Sequence, residues 1–434
     1  MIHLSETDMP VDWTCDSIQN SCLKVTSGGT PSRKNKDFYI NGVIPWVKTK
    51  ELEDGYIHQT EESITHDAIN KSSAKLLPSG TILLAMYGAT VGMLGITQGD
   101  MACNQACCAL ITDSEALDKD FLFYFLLCNR KNLINLATGA AQQNISGALI
   151  KQIAVPRPDL IEQRKIGTVL RTLGDKIELN QKMNQTLEEI AKAIFKSWFV
   201  DFDPVRAKAE GRPTGLPPEI SDLFPDELVD SEIGEIPKGW QELALNEVFT
   251  PRNERAGDRE IREFSSTNDG IQPRDAKYKK NLSSSSSKNK VAHKGDFVFG
   301  MSREVLNFGL MSNEVGGFSS AYKIYEVSGD YDFSDFVYRQ FLSRPQYYYQ
   351  AVSASSREGQ SISQDTLLNL KIFSPNPSVF SIFNSTIAPL RERCELLLEE
   401  NHLLSELRDT LLPKLISGEL RIPDAEKFLE EAGI

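Results

Sequence analysis

The sequence lacks the short motifs that most often carry catalysis. It contains no phosphate-binding loop of the form G-x-x-x-x-G-K-[ST], no G-x-G-x-x-G after a predicted strand, no H-E-x-x-H and no G-x-S-x-G. The Asn/Asp-Pro-Pro-aromatic tetrapeptide of amino-methyltransferases is also missing. The five histidines form no spaced cluster, which gives metal-based or histidine-based catalysis little to work with. We therefore predict that the chain is not an enzyme.

Long apolar runs are also missing. The longest, residues 82–96, contains three glycines and is too short to cross a bilayer, so it predicts a hairpin of two buried strands. The polar, acidic first ten residues do not resemble a signal peptide. Seven unevenly spaced cysteines without a histidine nearby favour small buried thiols in a reducing compartment over a zinc site. We expect a cytoplasmic chain that binds neither a metal nor a membrane.

The chain has no overall positive charge, because 60 acidic residues outnumber 47 basic ones and give a net charge of −13. Much of the excess is local: residues 201–236 hold ten acidic and three basic side chains, and residues 381–434 hold eleven and six. Residues 252–294, in contrast, carry eleven basic and six acidic side chains. A global negative charge weakens non-specific DNA binding without excluding a basic face, so composition leaves a nucleic-acid role open.

What the sequence does contain is a repeat with a period above 200 residues, which indicates a duplicated domain. Short apolar runs that follow turn residues predict that both copies are rich in β-strands. Four motifs of the first copy recur in the same order in the second. Pro10-Val-Asp-Trp13 matches Pro237-Lys-Gly-Trp240, and Gly80 before an apolar run matches Gly295 before another. Gln143-Asn-Ile145-Ser matches Gln360-Ser-Ile362-Ser, and the segment from Ile153 to Pro158 matches that from Ile372 to Pro377.

Each copy is followed by a stripe of residues at alternating gaps of three and four, from Ile166 to Ile194 and from Ile387 to Leu415. This pattern is typical of coiled-coil helices. A polar position, Asn180 in one stripe and Asn401 in the other, lies midway along each. If the helices pair antiparallel with level ends, Asn180 faces Asn401 and fixes the register. The alternative is two amphipathic helices that dock separately on their own domains.

These features predict an α+β fold with two β-rich domains in a pseudo-two-fold tandem repeat, separated by two long helices packed as an antiparallel coiled coil. The connector between the copies is either a solvated linker or a partner surface. The predicted segments are a first domain at 1–160, a central helix at 161–200, an acidic, proline-rich connector at 201–236, a second domain at 237–380, a distal helix at 381–417 and an acidic tail at 418–434.

Recognition chemistry has more candidates than catalysis. Gly28 to Lys36 form a flexible basic loop, and cations beside hydroxyl groups suit phosphate contacts, whereas arginine and amides suit base edges. The amides at 142–144 and their counterpart at 355–360 either read bases or only cap the following element. Trp46 is predicted to be a core residue rather than a stacking platform. The candidate DNA-contacting side chains are Thr30, Ser32, Arg33, Lys34, Lys36, Lys48, Lys50, Tyr87, Thr90, Gln142, Gln143, Asn144, Lys279, Lys280, Lys290, Arg303, Arg357 and Gln360.

An ordered set of motifs over nearly the whole chain resembles one family, the specificity (S) subunits of Type I restriction–modification systems. The second copy departs from the pattern, since it lacks Gly-Gly-Thr-Pro-Ser and Ile-Pro-Trp, so its DNA target should differ from that of the first. The motifs are Gly28-Gly-Thr-Pro-Ser32, Gly42-Val-Ile-Pro-Trp46, Asn144-Ile-Ser146, Pro156-Arg-Pro158, Glu162-Gln-Arg-Lys-Ile166, Lys196-Ser-Trp-Phe-Val-Asp-Phe-Asp-Pro204 and Leu412-Pro-Lys-Leu-Ile-Ser-Gly418.

The resemblance implies two target-recognition domains, each of which reads half of a bipartite, asymmetric site in double-stranded DNA. The paired helices would set the spacing of the half-sites and dock two methyltransferase (M) subunits, which bind S-adenosylmethionine and methylate adenine N6. Restriction (R) subunits that bind ATP and Mg would add cleavage. No cofactor is expected on this chain itself.

The length of the helical stripe predicts the spacing. Residues 166–194, at about 1.5 Å each, span roughly 43 Å, which separates the half-site centres by roughly 10–13 base pairs. Two other functions fit the same organisation. One is the specificity subunit of a fused, Type II-like cut-and-methylate system, and the other is a two-domain coiled-coil scaffold without a nucleic-acid role.

Overall fold

The structure, a computed structural model, describes residues 2–4, 10–137, 144–267, 270–274, 286–300, 307–355 and 359–431. The chain divides into two compact units. The first combines Met1–Met183 with Glu395–Ile434, and the second is the continuous segment Asn184–Cys394. Because both boundaries fall inside long helices, each of these helices contributes one part to each unit.

The first unit contains a five-stranded sheet of order β2-β9-β6-β7-β4, a three-stranded sheet of order β5-β3-β8, and the pair β1-β10. Its strands are β1 Thr14–Ser17, β2 Cys22–Ser27, β3 Ile44–Val47, β4 Gly55–Ile57, β5 Ser63–Ile64, β6 Ile82–Ala85, β7 Leu94–Thr97, β8 Ala102–Cys103, β9 Cys107–Thr112 and β10 Ala154–Arg157. Its helices are α1 Ile18–Ser21, α2 His66–Lys71, α3 Lys119–Cys128, α4 Arg130–Asn135, α5 Gly147–Gln152 and the start of α6 Leu160–Phe199, with 3₁₀ turns at Lys36–Phe38 and Thr49–Glu51.

The predicted hairpin in the run 82–96 is confirmed, because β6 and β7 pair antiparallel. All four residues of β6 are buried, since both faces of the strand are covered. Ile82 and Leu84 belong to the core that contains helix α3, whereas Leu83 and Ala85 belong to a second cluster on the opposite face. The alternation of side chains along the strand therefore divides this unit's interior into two layers.

The second unit contains a four-stranded sheet of order β14-β21-β18-β19 and five two-stranded pairs. Its strands are β11 Leu228–Val229, β12 Ile236–Pro237, β13 Gln241–Ala244, β14 Phe249–Arg252, β15 Phe264–Thr267, β16 Gly270–Pro273, β17 Lys290–His293, β18 Phe297–Phe299, β19 Phe308–Leu310, β20 Val315–Phe318, β21 Lys323–Val327, β22 Val352–Ser355, β23 Gly359–Ile362 and β24 Lys371–Ser374. Its helices are α7 Asp203–Ala209, α8 Pro218–Ser221, α9 Leu245–Val248, α10 Tyr331–Ser343, α11 Pro345–Tyr348, α12 Gln364–Asn369 and part of α13 Pro377–Ser417, with 3₁₀ turns at Ser286–Lys288 and Tyr349–Ala351. Helix α14, Ile422–Glu431, returns to the first unit.

The sequence repeat corresponds to a repeated strand pairing. In the first unit β1 pairs antiparallel with β10, and in the second β13 pairs antiparallel with β24 over the same four-residue length. The Ile-Ser motif has a local cause in both copies. Ser146 is the N-cap of α5 and Ser363 that of α12, and each hydroxyl accepts a backbone N–H three residues later. These serines therefore cap the helices that follow the amide-containing segments in the two copies.

The long helices run antiparallel within each unit, as the stripes predicted. In the first, Glu162 near the start of α6 pairs with Arg421 beyond the end of α13, whereas Asn180 bonds to Glu400. In the second, Asn184 lies beside Cys394, and the Phe195 ring lies 5.9 Å from that of Phe383.

Asn180 forms a hydrogen bond with Glu400 rather than with Asn401, the residue that the stripes place opposite it. The buried Asn180 amide donates to Oε2 of Glu400 at 2.8 Å, one residue before the expected partner. The seam also departs from the stripe at Met183, which is 36% exposed, while Asn184 is buried. The buried positions keep alternating gaps of three and four residues, but they are out of phase with the stripe, as Leu170 and Ile177 also show.

The predicted connector is folded rather than solvated. Phe202, Val205 and Phe224 are buried in one cluster with Trp198 and Trp240. The Trp198 and Phe224 rings lie 5.2 Å apart in an edge-to-face arrangement. The acidic residues of the segment therefore lie on a structure that is anchored by aromatic packing.

Candidate nucleic-acid interface

The basic loop of the first unit starts at two glycines that pack against the protein. A Cβ atom on Gly28 would lie 2.2 Å from the carbonyl oxygen of Cys103, and one on Gly29 would lie 2.2 Å from that of Ser73. No other residue fits this closely. The indole nitrogen of Trp46 donates to the Gly29 carbonyl at 3.0 Å. Trp46 is 3% exposed, so its prediction as a core residue is confirmed.

Three of the predicted phosphate-binding cations are engaged by glutamates that were not predicted. Arg33 contacts Glu62 at 2.5 Å, and Lys48 contacts Glu62 at 2.5 Å and Glu61 at 3.2 Å. Lys50 contacts Glu61 at 2.7 Å. We call Arg33, Lys48, Lys50, Glu61 and Glu62 the ionic cluster. Its charges nearly cancel, because it contains three cations and two carboxylates.

The protonation states of the ionic cluster are fixed by these contacts. The hydrogen bond from Arg33, and then that from Lys48, lowers the pKa of Glu62 to about 2. The hydrogen bond to Glu62 in turn raises the pKa of Lys48. Contact with Lys50, and then with Lys48, lowers the pKa of Glu61. Glu61, Glu62 and Lys48 therefore carry their full charge near neutral pH.

Two other cations of the same loop remain open to solvent. Lys34 and Lys36 are exposed and form no ion pair with any other described residue. Ser32 is also exposed, whereas the hydroxyl of Thr30 donates to the side-chain oxygen of Gln105. Gln105 is exposed and was missed in the sequence, because its turn between β8 and β9 carries no motif. Amide side chains can form paired hydrogen bonds with adenine, which makes Gln105 an additional candidate.

A row of hydrogen bonds connects this loop with the tip of the hairpin between β6 and β7, which carries the candidates Tyr87 and Thr90. Ala106, next to Gln105, accepts the amide of Met86 at 2.8 Å. Met86 in turn accepts the amide of Ile145 at 2.7 Å, and the adjacent Tyr87 and Asn144 form an antiparallel bridge. Thr90 is half-buried in the turn that follows. Candidates from four separate parts of the sequence therefore lie along one edge of the first unit.

In the second unit, Lys290 lies beside other cations. Burial, and then the charges of Arg255 and Lys323, lower its pKa. Its amino group donates to the carbonyl of Tyr322 at 2.8 Å, and Arg255 donates to the carbonyl of Lys288 at 2.7 Å. Backbone contacts of this kind orient the cations without cancelling their charge. The region therefore attracts anions such as phosphate.

Of the seven remaining candidates, only Gln360 belongs to the described residues. The backbone of Gln360 lies in β23 opposite Ala354. Gln142 and Gln143 of the first unit, and Lys279, Lys280, Arg303 and Arg357 of the second, lie outside the described residues.

Within the described ranges, no three His, Cys, Asp or Glu side chains come together as a possible metal site. None of the helices in that same part of the chain is long and apolar enough to cross a membrane.

The fold is shared with a known structure. The S subunit of the Type I restriction–modification system from M. genitalium superimposes with a TM-score of 0.57, at 16% sequence identity, over 96% of this chain and 99% of that one. At this identity the similarity concerns the fold alone. The fold is thus that of a Type I S subunit.

Sequence comparisons find similar proteins of the same kind. The model of the Type I restriction modification DNA specificity domain matches residues 10–189. The MjaIX specificity subunit of Methanocaldococcus jannaschii is 28% identical, over 96% of both chains. The HindI specificity subunit of Haemophilus influenzae is 27% identical, over 69% of this chain and 77% of the relative. The chain is thus similar in sequence to specificity subunits of Type I restriction–modification systems.

Proposed function

We propose that this chain is the non-catalytic DNA-recognition subunit of a Type I restriction–modification complex, and that each unit reads one half of a bipartite, asymmetric site. The observation that carries the proposal is the edge of the first unit. There, the basic loop, Gln105, the hairpin tip and Asn144 follow one another along a row of hydrogen bonds. Cations, hydroxyls and amides on one surface supply both phosphate and base contacts.

The framework under this edge suits sequence readout. The Gly28–Gly29 turn and the indole of Trp46 fix the start of the loop, and the Tyr87–Asn144 bridge fixes the other end. Side chains on a rigid frame lose little entropy on binding, so differences among base pairs appear as differences in affinity. Phosphate contacts from Lys34 and Lys36 would add affinity that does not depend on sequence.

The partners in this proposal are two M subunits and, for cleavage, R subunits. The M subunits would bind S-adenosylmethionine, and the R subunits would bind ATP and Mg. Exposed leucines on the long helices support a docking role. Leu179 on α6 is 55% exposed, and Leu396 and Leu403 on α13 are 57% and 65% exposed. Apolar residues that form a contiguous patch on a surface mark protein interfaces.

The decisive experiment co-expresses the full chain with an adenine methyltransferase encoded beside it and maps methylated adenines by single-molecule sequencing. We expect a stable complex and methylation within one bipartite motif. If no complex forms and no adenine is methylated, the recognition role fails and the two-domain scaffold becomes the better explanation. Cleavage by the methylating complex itself, without a separate R subunit, would indicate the fused cut-and-methylate system.

The spacing of the half-sites tests the helices. Insertion of one heptad into each helix should lengthen the unspecified gap and leave both half-sites unchanged, because the helices would set the separation. An unaltered gap would remove this role. For base readout, Gln105→Ala should weaken recognition of one half-site by roughly 1–3 kcal/mol. Equal losses across all sequences would make Gln105 a structural residue.

A further inference from the structure

The two glutamates of the ionic cluster oppose the charge that a DNA-binding loop needs. Arg33 lies before β3, and Lys48 and Lys50 follow it, yet all three converge on Glu61 and Glu62. Each of these cations would gain a phosphate contact if it were released. In the structure, each of the three cations has a glutamate as its ion-pair partner.

The glutamates are fixed in place by the backbone. The amide of Trp46 donates to the Glu62 carbonyl at 3.0 Å, and the amide of Glu61 donates to Oε1 of Glu51 at 2.7 Å. The second oxygen of Glu51 accepts the amide of Lys48 at 2.7 Å. Glu51 therefore joins the segment that carries the cations to the segment that carries the carboxylates. An ordinary surface ion pair has no such support.

The arginine is held from its other side as well. The guanidinium of Arg33 lies 4.4 Å from the centre of the Tyr39 ring and 5.1 Å from that of Trp46. The Tyr39 hydroxyl donates to the Pro31 carbonyl at 2.6 Å, which fixes the ring. Aromatic contact and an ion pair together restrict the guanidinium to one orientation.

We propose that Glu61 and Glu62 are specificity-determining residues that suppress non-specific DNA binding by the first unit, by holding Arg33, Lys48 and Lys50 in a nearly neutral cluster. Non-specific affinity comes almost entirely from phosphate contacts that release counterions. A cation that is already paired with a glutamate releases fewer counterions when it meets a phosphate. The affinity for DNA that lacks the target sequence is therefore lower. Contacts from Gln105 and other base-reading groups are unaffected, and the ratio of specific to non-specific binding rises.

The inference rests on the proposed function, because it concerns the DNA-facing edge of the first unit. The test uses the full chain, in complex with its methyltransferase partner, and a duplex of mixed sequence that lacks the recognition motif. The measured quantity is the slope of the logarithm of the binding constant against the logarithm of the salt concentration. A duplex that contains the mapped motif is measured in parallel.

Glu62→Gln should steepen the slope for the mixed-sequence duplex by about 0.9, the value of one additional phosphate contact, and raise affinity roughly threefold or more. Binding to the motif-bearing duplex should rise no more than that, so specificity falls. Glu62→Asp, which keeps the charge, should behave like the wild type. The double variant Glu62→Gln/Arg33→Gln should lose most of the gain, since the released cation is absent.

The control is Glu53→Gln, which makes the same change in net charge. Glu53 is exposed and forms no ion pair with another described residue. An equal effect of Glu53→Gln, or an unchanged slope in Glu62→Gln, would overturn the proposal. If Glu62→Gln fails to fold, Glu61→Gln, whose side chain is 56% exposed, replaces it with the same expectation. A wild-type complex that prefers no motif would instead refute the proposed function.

Discussion

The two units share a framework but differ in the surroundings of their candidate DNA-binding cations. In the first unit, Arg33 and Lys48 are paired with carboxylates, and the contact with Glu62 raises the pKa of Lys48. In the second unit, burial and neighbouring cations lower the pKa of Lys290. The cations of the first unit are thus held by carboxylates, whereas Lys290 is partly buried near other cations. Duplication has therefore preserved the strand pairing while the electrostatics diverged.

The largest effect is expected at the Gly28–Gly29 turn of the first unit, whose sequence motif the second copy lacks. Gly28→Ala should destabilise the first unit by about 3 kcal/mol, because the new Cβ would lie 2.2 Å from a backbone oxygen. Gly55→Ala is the matched control, since nothing lies within 4 Å of its Cβ position. Chemical unfolding measures both. A loss in Gly55→Ala as large as that in Gly28→Ala would show that the close packing is not the cause.

The equivalent tryptophans sharpen the comparison of the frameworks. The Trp13 indole donates to Glu162 at 3.2 Å, whereas the buried Trp240 indole nitrogen has no hydrogen-bond partner among the described residues. Trp13→Phe should therefore cost about 2 kcal/mol, and Trp240→Phe about 1 kcal/mol.

Hydrogen exchange at the paired strands β1 and β13 reports each unit separately. The Trp13→Phe variant should expose β1 more than the Trp240→Phe variant exposes β13. Equal losses at the two strands would mean that the hydrogen bond to Glu162 contributes nothing.

The charge difference between the units is tested by Lys290→Gln. Removal of one cation that contacts phosphate should reduce the salt slope by about 0.9 and weaken binding roughly threefold for all sequences. Lys294→Gln is the control. Because Lys294 is already paired with Glu314 at 3.6 Å, its replacement should change the slope less. If Lys290→Gln leaves the slope unaltered, this part of the second unit does not contact DNA.

The smallest expected effect is the pH dependence of the ionic cluster. The folded pKa of Glu62 lies near 2, below its ordinary value of 4.5. The stabilisation is therefore complete above pH 4.5 and is lost as the pH falls towards 2. Because the cluster is partly exposed, it contributes about 1 kcal/mol or less. The difference in unfolding free energy between the wild type and Glu62→Gln should shrink between pH 5 and about 3, and a constant difference would contradict the assignment.

The sequence was sufficient for features that depend on local pattern. The helices, the hairpin at 82–96 and the duplicated order follow from periodicity and from the spacing of turn residues. The pairings between side chains do not follow from local pattern. Glu61 and Glu62 lie about 29 residues from Arg33 along the chain, and no periodic pattern links them. Gln105 likewise gains significance only because Thr30 folds against it.

The register of the helices shows a second limit of the sequence. Asn180 was recognised as a buried polar position, but its partner is Glu400, a charged residue that the stripe excluded. Hydrophobicity predicts that one face of a helix is buried, whereas the partner of a given residue depends on the phase of the buried positions, which differs here from that of the stripe.

The discontinuity of the first unit has a consequence for synthesis of the chain. Leu170 and Leu173 of α6 share their core with Leu411 and Leu415 of α13, which are made more than 200 residues later. At about 5–20 residues per second, the ribosome needs roughly 10–40 s to pass from residue 183 to residue 395. The second unit, which is continuous, can be completed first. Synthesis of the first unit thus begins before that of the second but ends after it, and until then the apolar face of α6 in the first unit lacks its partner from α13.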